Sequence, residues 1–199
     1  MTFEPGQLVG ERFEVVTRLG GNRHGSTSKA KTVSGEREVA IKKLHREADE
    51  GTETQLHKAQ QAQRLSRMCD ELMTIDQVEV HEQDVCCIMS FLSDRSLRRH
   101  RAPERNPKPN PNGKEEDLVV YFAEDFEWLA RVAKALDFLS ENETIHGDVK
   151  PTNILFGKNS DNVSTAYLSD IEIPVSYTHL RAHETLRYLV CRLLLEKKK

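Results

Sequence analysis

Between His146 and Leu155, the chain places an acid, a base and an amide within eight residues, directly before a short apolar strand. These groups are the side chains of Asp148, Lys150 and Asn153. A carboxylate can orient a hydroxyl group and accept its proton, an ammonium group can stabilise negative charge, and an amide oxygen can coordinate a hard cation. Such groups must converge on one reacting centre, and a short fixed loop allows this. The plainer alternative is a surface loop that carries polar residues.

The eight residues that end at Asn153 resemble the catalytic loop of protein kinases, H-R-D-x-K-P-x-N, with Gly147 in the place of the arginine. The resemblance implies transfer of the γ-phosphoryl group of ATP. Asp148 would then be the catalytic base, Lys150 would lie near the γ-phosphate, and Asn153 would be a ligand of Mg²⁺. The pair Lys150-Pro151 is similar to that of kinases which act on serine and threonine.

A further carboxylate, Asp170, follows the apolar run 166–168. It falls where kinases place the aspartate of their D-F-G motif, and the resemblance implies that it is a second ligand of Mg²⁺. Ile171 is an acceptable apolar substitute for the phenylalanine of that motif. Glu172 replaces the glycine, which removes backbone freedom and adds a negative charge beside the metal.

A glycine-rich stretch follows the strand that is predicted for residues 13–19. It resembles the loop G-x-G-x-x-G-x-V that folds over the phosphates of ATP in kinases. Gly20 and Gly25 match the first and third glycines, which implies that they bind ATP, whereas Asn22 replaces the second glycine and Thr27 the valine. Glycine lets backbone N–H groups approach a phosphate because it has no Cβ. An ordinary hairpin turn is the alternative.

Lys42 belongs to the run Glu38–Leu44, which is close to the V-A-I-K strand of kinases. In that family, the lysine binds the α- and β-phosphates of ATP. A lysine in a buried strand is costly unless an anion meets it, so its apolar neighbours favour a phosphate-binding role. Alternatively, Lys42 faces solvent on an alternating strand.

A helix is predicted for residues 51–68, in the place of helix αC of the kinases. With Leu65 and Met68 taken as its core-facing residues, Gln61 stands where the family has a glutamate that pairs with the lysine. A glutamine can form a hydrogen bond with Lys42 but cannot neutralise its charge. This departure from the family pattern argues against full activity.

A hairpin is predicted for residues 75–82 and 85–91. The resemblance makes Met89 the gatekeeper residue behind adenine. It also assigns the segment from Ser90 to Leu92 to the hinge, whose backbone forms hydrogen bonds with the base. The alternative for these apolar residues is ordinary core packing.

Two segments connect these motifs. Residues 98–117 are polar and contain four prolines, which predicts a flexible insertion. Residues 124–140 have a helical stripe of apolar residues and are predicted to form the long helix before the catalytic loop. The stripe consists of Phe126, Leu129, Ala133 and Leu136.

Composition fits a globular protein of 199 residues, with 31% charged and 37% hydrophobic residues. No apolar run approaches the roughly 20 residues that span a bilayer, and the N-terminus has no secretion signal. The four cysteines form no C-x-x-C pair, which indicates reduced thiols, a cytoplasmic location and no zinc site. The formal net charge of −3 gives no indication of nucleic-acid binding.

Residues 175–199 resemble the in-frame translation of a sequencing-library adapter. We therefore expect the natural gene to continue past Pro174 and the chain to be a fragment. An amphipathic C-terminal helix is the alternative.

Together, the motifs predict an α+β fold, the bilobal fold of protein kinases, with the N-lobe sheet, helix αC and only the first part of the helical C-lobe. The expected organisation is an N-terminal tail (1–12), the N-lobe and hinge (13–92), a partial C-lobe (93–174) and the adapter-like tail (175–199). The expected function is ATP- and Mg²⁺-dependent phosphorylation of serine and threonine hydroxyls in a protein substrate, although this chain alone is expected to be inactive. A pseudokinase that binds nucleotides or serves as a scaffold is the alternative.

Overall fold

The computed structural model of the chain describes residues 2–22, 24–45, 51–93, 96–97, 115–159 and 161–171, with the backbone alone at 22 and 115–125. The chain divides into two compact units, Met1–Leu92 and Ser93–Lys199. Glu172, the adapter-like tail and most of the expected insertion lie outside the described residues.

The first unit contains six strands and one helix among its described residues. They are β1 (Leu8–Val9), β2 (Phe13–Asn22), β3 (Gly25–Thr32), β4 (Glu38–Leu44), α1 (Thr52–Met68), β5 (Ile75–His81) and β6 (Asp84–Ser90). The strands form one antiparallel sheet with the spatial order β1-β2-β3-β4-β6-β5. The connection from β4 to the edge strand β5 contains helix α1, as the sequence predicted.

Strand β2 runs beyond the predicted end at Leu19 and includes the first glycines of the glycine-rich stretch. Gly20 pairs with Thr27, and Asn22 pairs with Gly25 at the end of the hairpin. The prediction ended the strand too early because glycine is disfavoured in strand interiors, whereas here the pairing with β3 compensates for that preference.

One face of the sheet carries the main apolar core of this unit, and Ala59, Val85 and Cys87 form a second buried cluster with helix α1. Along β4, the side chains alternate, so that Val39 and Ile41 lie on the core face while Ala40 and Lys42 lie on the other. The N-terminal segment contributes to the same core, with Phe3 only 3% exposed. The core consists of Phe3, Val9, Phe13, Val15, Ala30, Val39, Ile41, Cys86 and Ile88.

Helix α1 packs against β5 and β6 through one face. The buried residues of the helix are Gln55, Ala59, Ala62, Leu65 and Ser66. Leu65 faces the core as predicted, but Met68 is 59% exposed, so its predicted core position is wrong. Met68 is the last residue of the helix, and the chain turns there into the extended residue Cys69.

The second unit consists of helix α2 (Glu115–Glu141) and an antiparallel hairpin of β7 (Ile154–Lys158) and β8 (Ser164–Leu168). The helix begins nine residues before the predicted start at Glu124, so residues 115–117 are helical and the predicted flexible insertion is too long. The sequence of these three residues is Glu-Glu-Asp, and acidic residues are favoured in the first turn of a helix.

The face that α2 buries differs from the predicted stripe. Val132, Ala135 and Leu139 are buried, whereas Phe126 of the predicted stripe is 71% exposed. The packing partner is the hairpin, where the ring of Trp128 lies edge-on to Phe156 with centroids 4.6 Å apart. The helix carries apolar residues on two sides, and periodicity alone cannot decide which side packs.

No helix among the described residues is long and apolar enough to cross a membrane.

Candidate active site

The three chemical groups of the predicted catalytic loop contact one another. Asn153 is 4% exposed, and its Nδ2 donates hydrogen bonds to the backbone carbonyl of Asp148 at 2.9 Å and to Asp148 Oδ2 at 3.2 Å. The ammonium group of Lys150 forms an ion pair with the same carboxylate oxygen. The structure therefore brings the carboxylate of Asp148, the ammonium group of Lys150 and the amide of Asn153 together within one short loop.

The surroundings of Asp148 keep its carboxyl group ionised. Desolvation raises the pKa of this group, but the hydrogen bond and charge of Lys150, the amide of Asn153 and the electrostatic effect of the His146 ring together lower it by more. The pKa of Asp148 thus lies below its ordinary value. At neutral pH the group is a carboxylate, which is the form that can accept a proton.

His146 and Ser169 fix this loop to the segment that precedes Asp170. The buried imidazole of His146 forms a hydrogen bond through Nε2 with the carbonyl of Ser169 at 2.9 Å, while the N–H of Asp148 donates to its Nδ1 at 3.3 Å. Ser169 also donates to the carbonyl of Asn153 twice, from its N–H at 2.8 Å and from Oγ at 3.0 Å. Ser169 therefore bonds to both ends of the catalytic loop.

Asp170 follows this fixed residue in a left-handed backbone conformation, with φ at 68°. Few residues other than glycine adopt it, and aspartate and asparagine tolerate it best. Residues held in such conformations often lie at functional sites.

Asn153 and Asp170 fit a site for Mg²⁺ by the chemistry of their donor atoms. They offer an amide oxygen and a carboxylate, which are hard oxygen ligands, and Mg²⁺ commonly takes few protein ligands beside phosphate and water. The hydrogen bonds of Ser169 hold the backbone of these two residues close together. No cluster of three or more His, Cys, Asp or Glu side chains that could hold a metal by itself occurs in the described part of the chain.

Gly147, in the place of the family's arginine, has a left-handed backbone with φ at 81°. This conformation costs a residue with a side chain roughly 1–2 kcal/mol, whereas glycine adopts it freely. Glycine therefore lets the chain turn between His146 and Asp148 without that cost.

Lys42 lies in the first unit and is only 9% exposed, so the alternative that it faces solvent is wrong. It pairs with Thr27 of β3 on one side and with Cys87 of β6 on the other. Thr27, the residue in the place of the family's valine, thus shares a sheet face with Lys42, opposite the apolar core.

The glycine-rich stretch is a hairpin that approaches β4 closely at Gly25. A Cβ atom at Gly25 would lie 2.6 Å from the backbone oxygen of Lys43 and 3.3 Å from Cε of Lys42. At Gly20, a Cβ would have no neighbour within 4 Å. Of the two glycines predicted to bind ATP, Gly25 is the one that close packing requires.

The predicted hinge residues lie at the end of β6. Met89 is half-buried and pairs with Ala40, and Ser90 is the last residue of the strand. Ser90 Oγ accepts a hydrogen bond from Arg37 at 2.9 Å, while Leu92 is half-buried two residues later.

Gln61, predicted in the place of the αC glutamate, is exposed on helix α1. The buried glutamine of this helix is Gln55, whose Nε2 donates to the carbonyl of His45 at 2.8 Å.

The structural role of Ser169 has no counterpart in any sequence motif, because its hydrogen bonds join segments that are distant in the chain.

The sequence profile of the protein kinase domain matches residues 13–173. The chain belongs to the protein kinase family. Its similarity to solved structures agrees, since it resembles the PknI kinase domain of Mycobacterium tuberculosis. A double mutant of that domain gives a TM-score of 0.60 at 17% sequence identity, and the match covers 89% of this chain and 67% of the other. The unmutated domain gives a TM-score of 0.57 at 20% sequence identity, and the match covers 87% of this chain and 64% of the other.

A second double mutant of PknI gives a TM-score of 0.59 at 17% identity over 86% of this chain and 62% of the other. This kinase chain thus spans about two thirds of the length of these solved kinase domains. At this level of identity, the likeness shows the fold alone, and it confirms the predicted kinase fold with part of the C-lobe. No protein with a curated function matches the chain.

Proposed function

We propose that this protein kinase uses ATP and Mg²⁺ to phosphorylate serine and threonine hydroxyls of protein substrates. The observation that carries the proposal is the contact of Lys150 and Asn153 with an ionised Asp148. The pair Lys150-Pro151 supports the serine/threonine class. A cytoplasmic location is supported by Cys69, Cys86 and Cys87, which are thiols and not disulfides.

Asp148 acts as the base in this proposal. Within the described part of the chain, Lys150 and Asn153 both contact its Oδ2, so we assign Oδ1 to the substrate hydroxyl. The carboxylate orients the hydroxyl oxygen toward the γ-phosphorus and accepts its proton. The new O–P bond forms as the bond between the γ-phosphorus and the β–γ bridging oxygen breaks, and ADP leaves with that oxygen. Lys150 is close enough to Asp148 to stabilise negative charge on the transferred group as well.

When bound, Mg²⁺ would supply positive charge that offsets the negative charge of the phosphate groups. Asn153 Oδ1 and the carboxylate of Asp170 would hold it. The amide nitrogen of Asn153 donates to Asp148, which fixes the orientation of the amide, and its oxygen accepts a long hydrogen bond from Thr152 Oγ1 at 3.4 Å. Ser169 then keeps the two ligands at a fixed backbone separation.

The nucleotide would be held by residues of the first unit. Lys42 would bind the α- and β-phosphates, as its match to the V-A-I-K strand of kinases implies, and the residue is largely buried. Backbone N–H groups near Gly20 and Gly25 would approach the phosphates. The adenine ring would contact the gatekeeper and hinge residues Met89, Ser90 and Leu92.

Replacement of Asp148 by alanine in the protein encoded by the full-length gene tests this function. We expect phosphate transfer to a peptide substrate to fall about 10²–10⁴-fold, because the base is lost, while ATP binding survives. Asp161→Ala is the matched control, since Asp161 is an exposed aspartate on the β7–β8 hairpin. Equal turnover by Asp148→Ala and Asp161→Ala would refute the assignment of the base.

A pseudokinase role is the second candidate, and the exposed, uncharged Gln61 favours it. In that case, the full-length protein binds ATP without measurable transfer. ATP binding measured by calorimetry, together with no transfer to a peptide substrate, would establish this role, and transfer that is lost in Asp148→Ala would refute it.

A further inference from the structure

Strand β5 contains a bulge at Asp76. Ile75 pairs with Met89 and Gln77 pairs with Ile88, so two consecutive partners on β6 face three residues on β5. Asp76 is the extra residue. A bulge removes its residue from the ladder of the sheet, which frees both its backbone and its side chain for other partners.

Helix α1 binds the backbone at this bulge through three side chains. Gln63 Nε2 donates to the carbonyl oxygen of Asp76 at 3.0 Å, and Arg67 donates to the same oxygen. Ser66 Oγ accepts the N–H of Ile75 at 3.0 Å. The C-terminal half of the helix is therefore fixed to the sheet by directed hydrogen bonds as well as by apolar packing.

The carboxylate of Asp76 faces a different pair of elements. It forms an ion pair with Arg37 at 2.6 Å, just before β4 begins. The same guanidinium nitrogen donates to Ser90 Oγ at 2.9 Å, and Ser90 Oγ lies 3.5 Å from the Asp76 carboxylate. Arg37, Asp76 and Ser90 thus close a triangle at the end of β6.

We propose that Asp76 is a positioning residue that couples helix α1 to Ser90, the first residue of the candidate hinge. Its carbonyl oxygen binds the helix, and its carboxylate, through Arg37, holds the end of β6. A displacement of the helix is passed to the hinge through a single residue. The consequence for ATP binding rests on the proposed function, because the hinge role of Ser90 belongs to it.

Arg37→Met breaks the link between Asp76 and Ser90 without touching the link between Asp76 and helix α1. It removes the ion pair and the bond to Ser90 but keeps most of the side-chain length, and it leaves the bonds from α1 to the Asp76 carbonyl in place. Arg12→Met is the matched control. Arg12 and Glu79 form an ion pair on the same sheet with side chains 52% and 26% exposed, against 55% and 28% for Arg37 and Asp76.

Hydrogen exchange in the 199-residue chain tests the coupling without nucleotide. We expect Arg37→Met to speed exchange at least about twofold both in residues 89–92 and in residues 63–68, since members of one network influence each other by this amount or more. Arg12→Met should leave both segments unchanged. Faster exchange in only one segment, in neither, or equally in the control overturns the proposal.

ATP kinetics of the full-length protein supply the second test. We expect Arg37→Met to raise the KM for ATP about three- to tenfold with kcat unchanged, and Arg37→Lys to restore much of the loss, because a lysine keeps the charge near Asp76. A fall in kcat with an unchanged KM contradicts a positioning role at the hinge. If the protein binds no ATP, the proposed function fails, while the exchange measurement still decides whether Asp76 couples the two elements.

Discussion

Substitution of Gly25 by alanine should destabilise the first unit through a single close contact. The added methyl group would lie 2.6 Å from the backbone oxygen of Lys43, well inside van der Waals contact. Because the obstructing atom belongs to the backbone, β3 and β4 must move apart locally. Overpacking of this kind costs about 1–3 kcal/mol.

Gly20→Ala supplies the reference for this measurement. Both substitutions reduce the conformational entropy of the unfolded chain, which stabilises the folded state by about 0.4–1 kcal/mol where the native backbone accepts alanine. At Gly20, no atom lies within 4 Å of the added methyl group, so this gain is not offset by a contact. The difference between the two variants therefore isolates the cost of the contact.

Urea denaturation of the two variants, followed by circular dichroism, measures this difference. We expect Gly25→Ala to have a free energy of unfolding about 1–3 kcal/mol below that of Gly20→Ala. The contact with Cε of Lys42 at 3.3 Å predicts a second effect, a weaker affinity for ATP. Equal free energies of unfolding in the two variants would refute the argument.

Three further predictions concern charge, backbone and burial. Lys150→Met should raise the pKa of Asp148, so that the acid limb of the kcat/KM profile moves to higher pH. The lowered pKa of Asp148 also stabilises the fold, fully at pH values above its unfolded pKa, and this stabilisation is lost as the pH falls through the folded pKa. Unfolding titrations of Lys150→Met should therefore show a smaller loss of stability on acidification. Gly147→Ala should lower the free energy of unfolding by about 1–2 kcal/mol, which a urea titration would detect, because its φ of 81° disfavours a side chain. Cys86, whose pKa burial raises to about 12, should resist alkylation at pH 8 in the native protein and react after denaturation, as mass spectrometry can show.

The sequence predicted those features in which neighbours along the chain act together. Asp148, Lys150 and Asn153 lie within six residues, so a short loop brings them together whatever surrounds it. The alternation of Val39, Ala40, Ile41 and Lys42 on one strand likewise placed the lysine opposite the apolar core face. Both are local consequences of covalent spacing.

The features that the sequence did not predict depend on partners from elsewhere in the chain. Helix α2 carries apolar residues on two sides. Its packing on the β7–β8 hairpin buries the side of Val132 and leaves Phe126 exposed. The bulge at Asp76 exists because β5 and β6 pair out of step by one residue. The sequence pattern of neither strand predicts this shift in register.

If Asp170 binds the metal as we propose, its backbone conformation bears on how a kinase of this kind can lose phosphate transfer in evolution. Its left-handed φ of 68° suits aspartate, asparagine and glycine, and an aspartate codon becomes either of the other two by one nucleotide change. Each of these changes removes the carboxylate but leaves the hydrogen bonds of Ser169 and the local fold intact. A mutation to alanine removes the same carboxylate and disturbs the backbone as well. Descendants that keep the fold without phosphate transfer should therefore carry asparagine or glycine here more often than alanine.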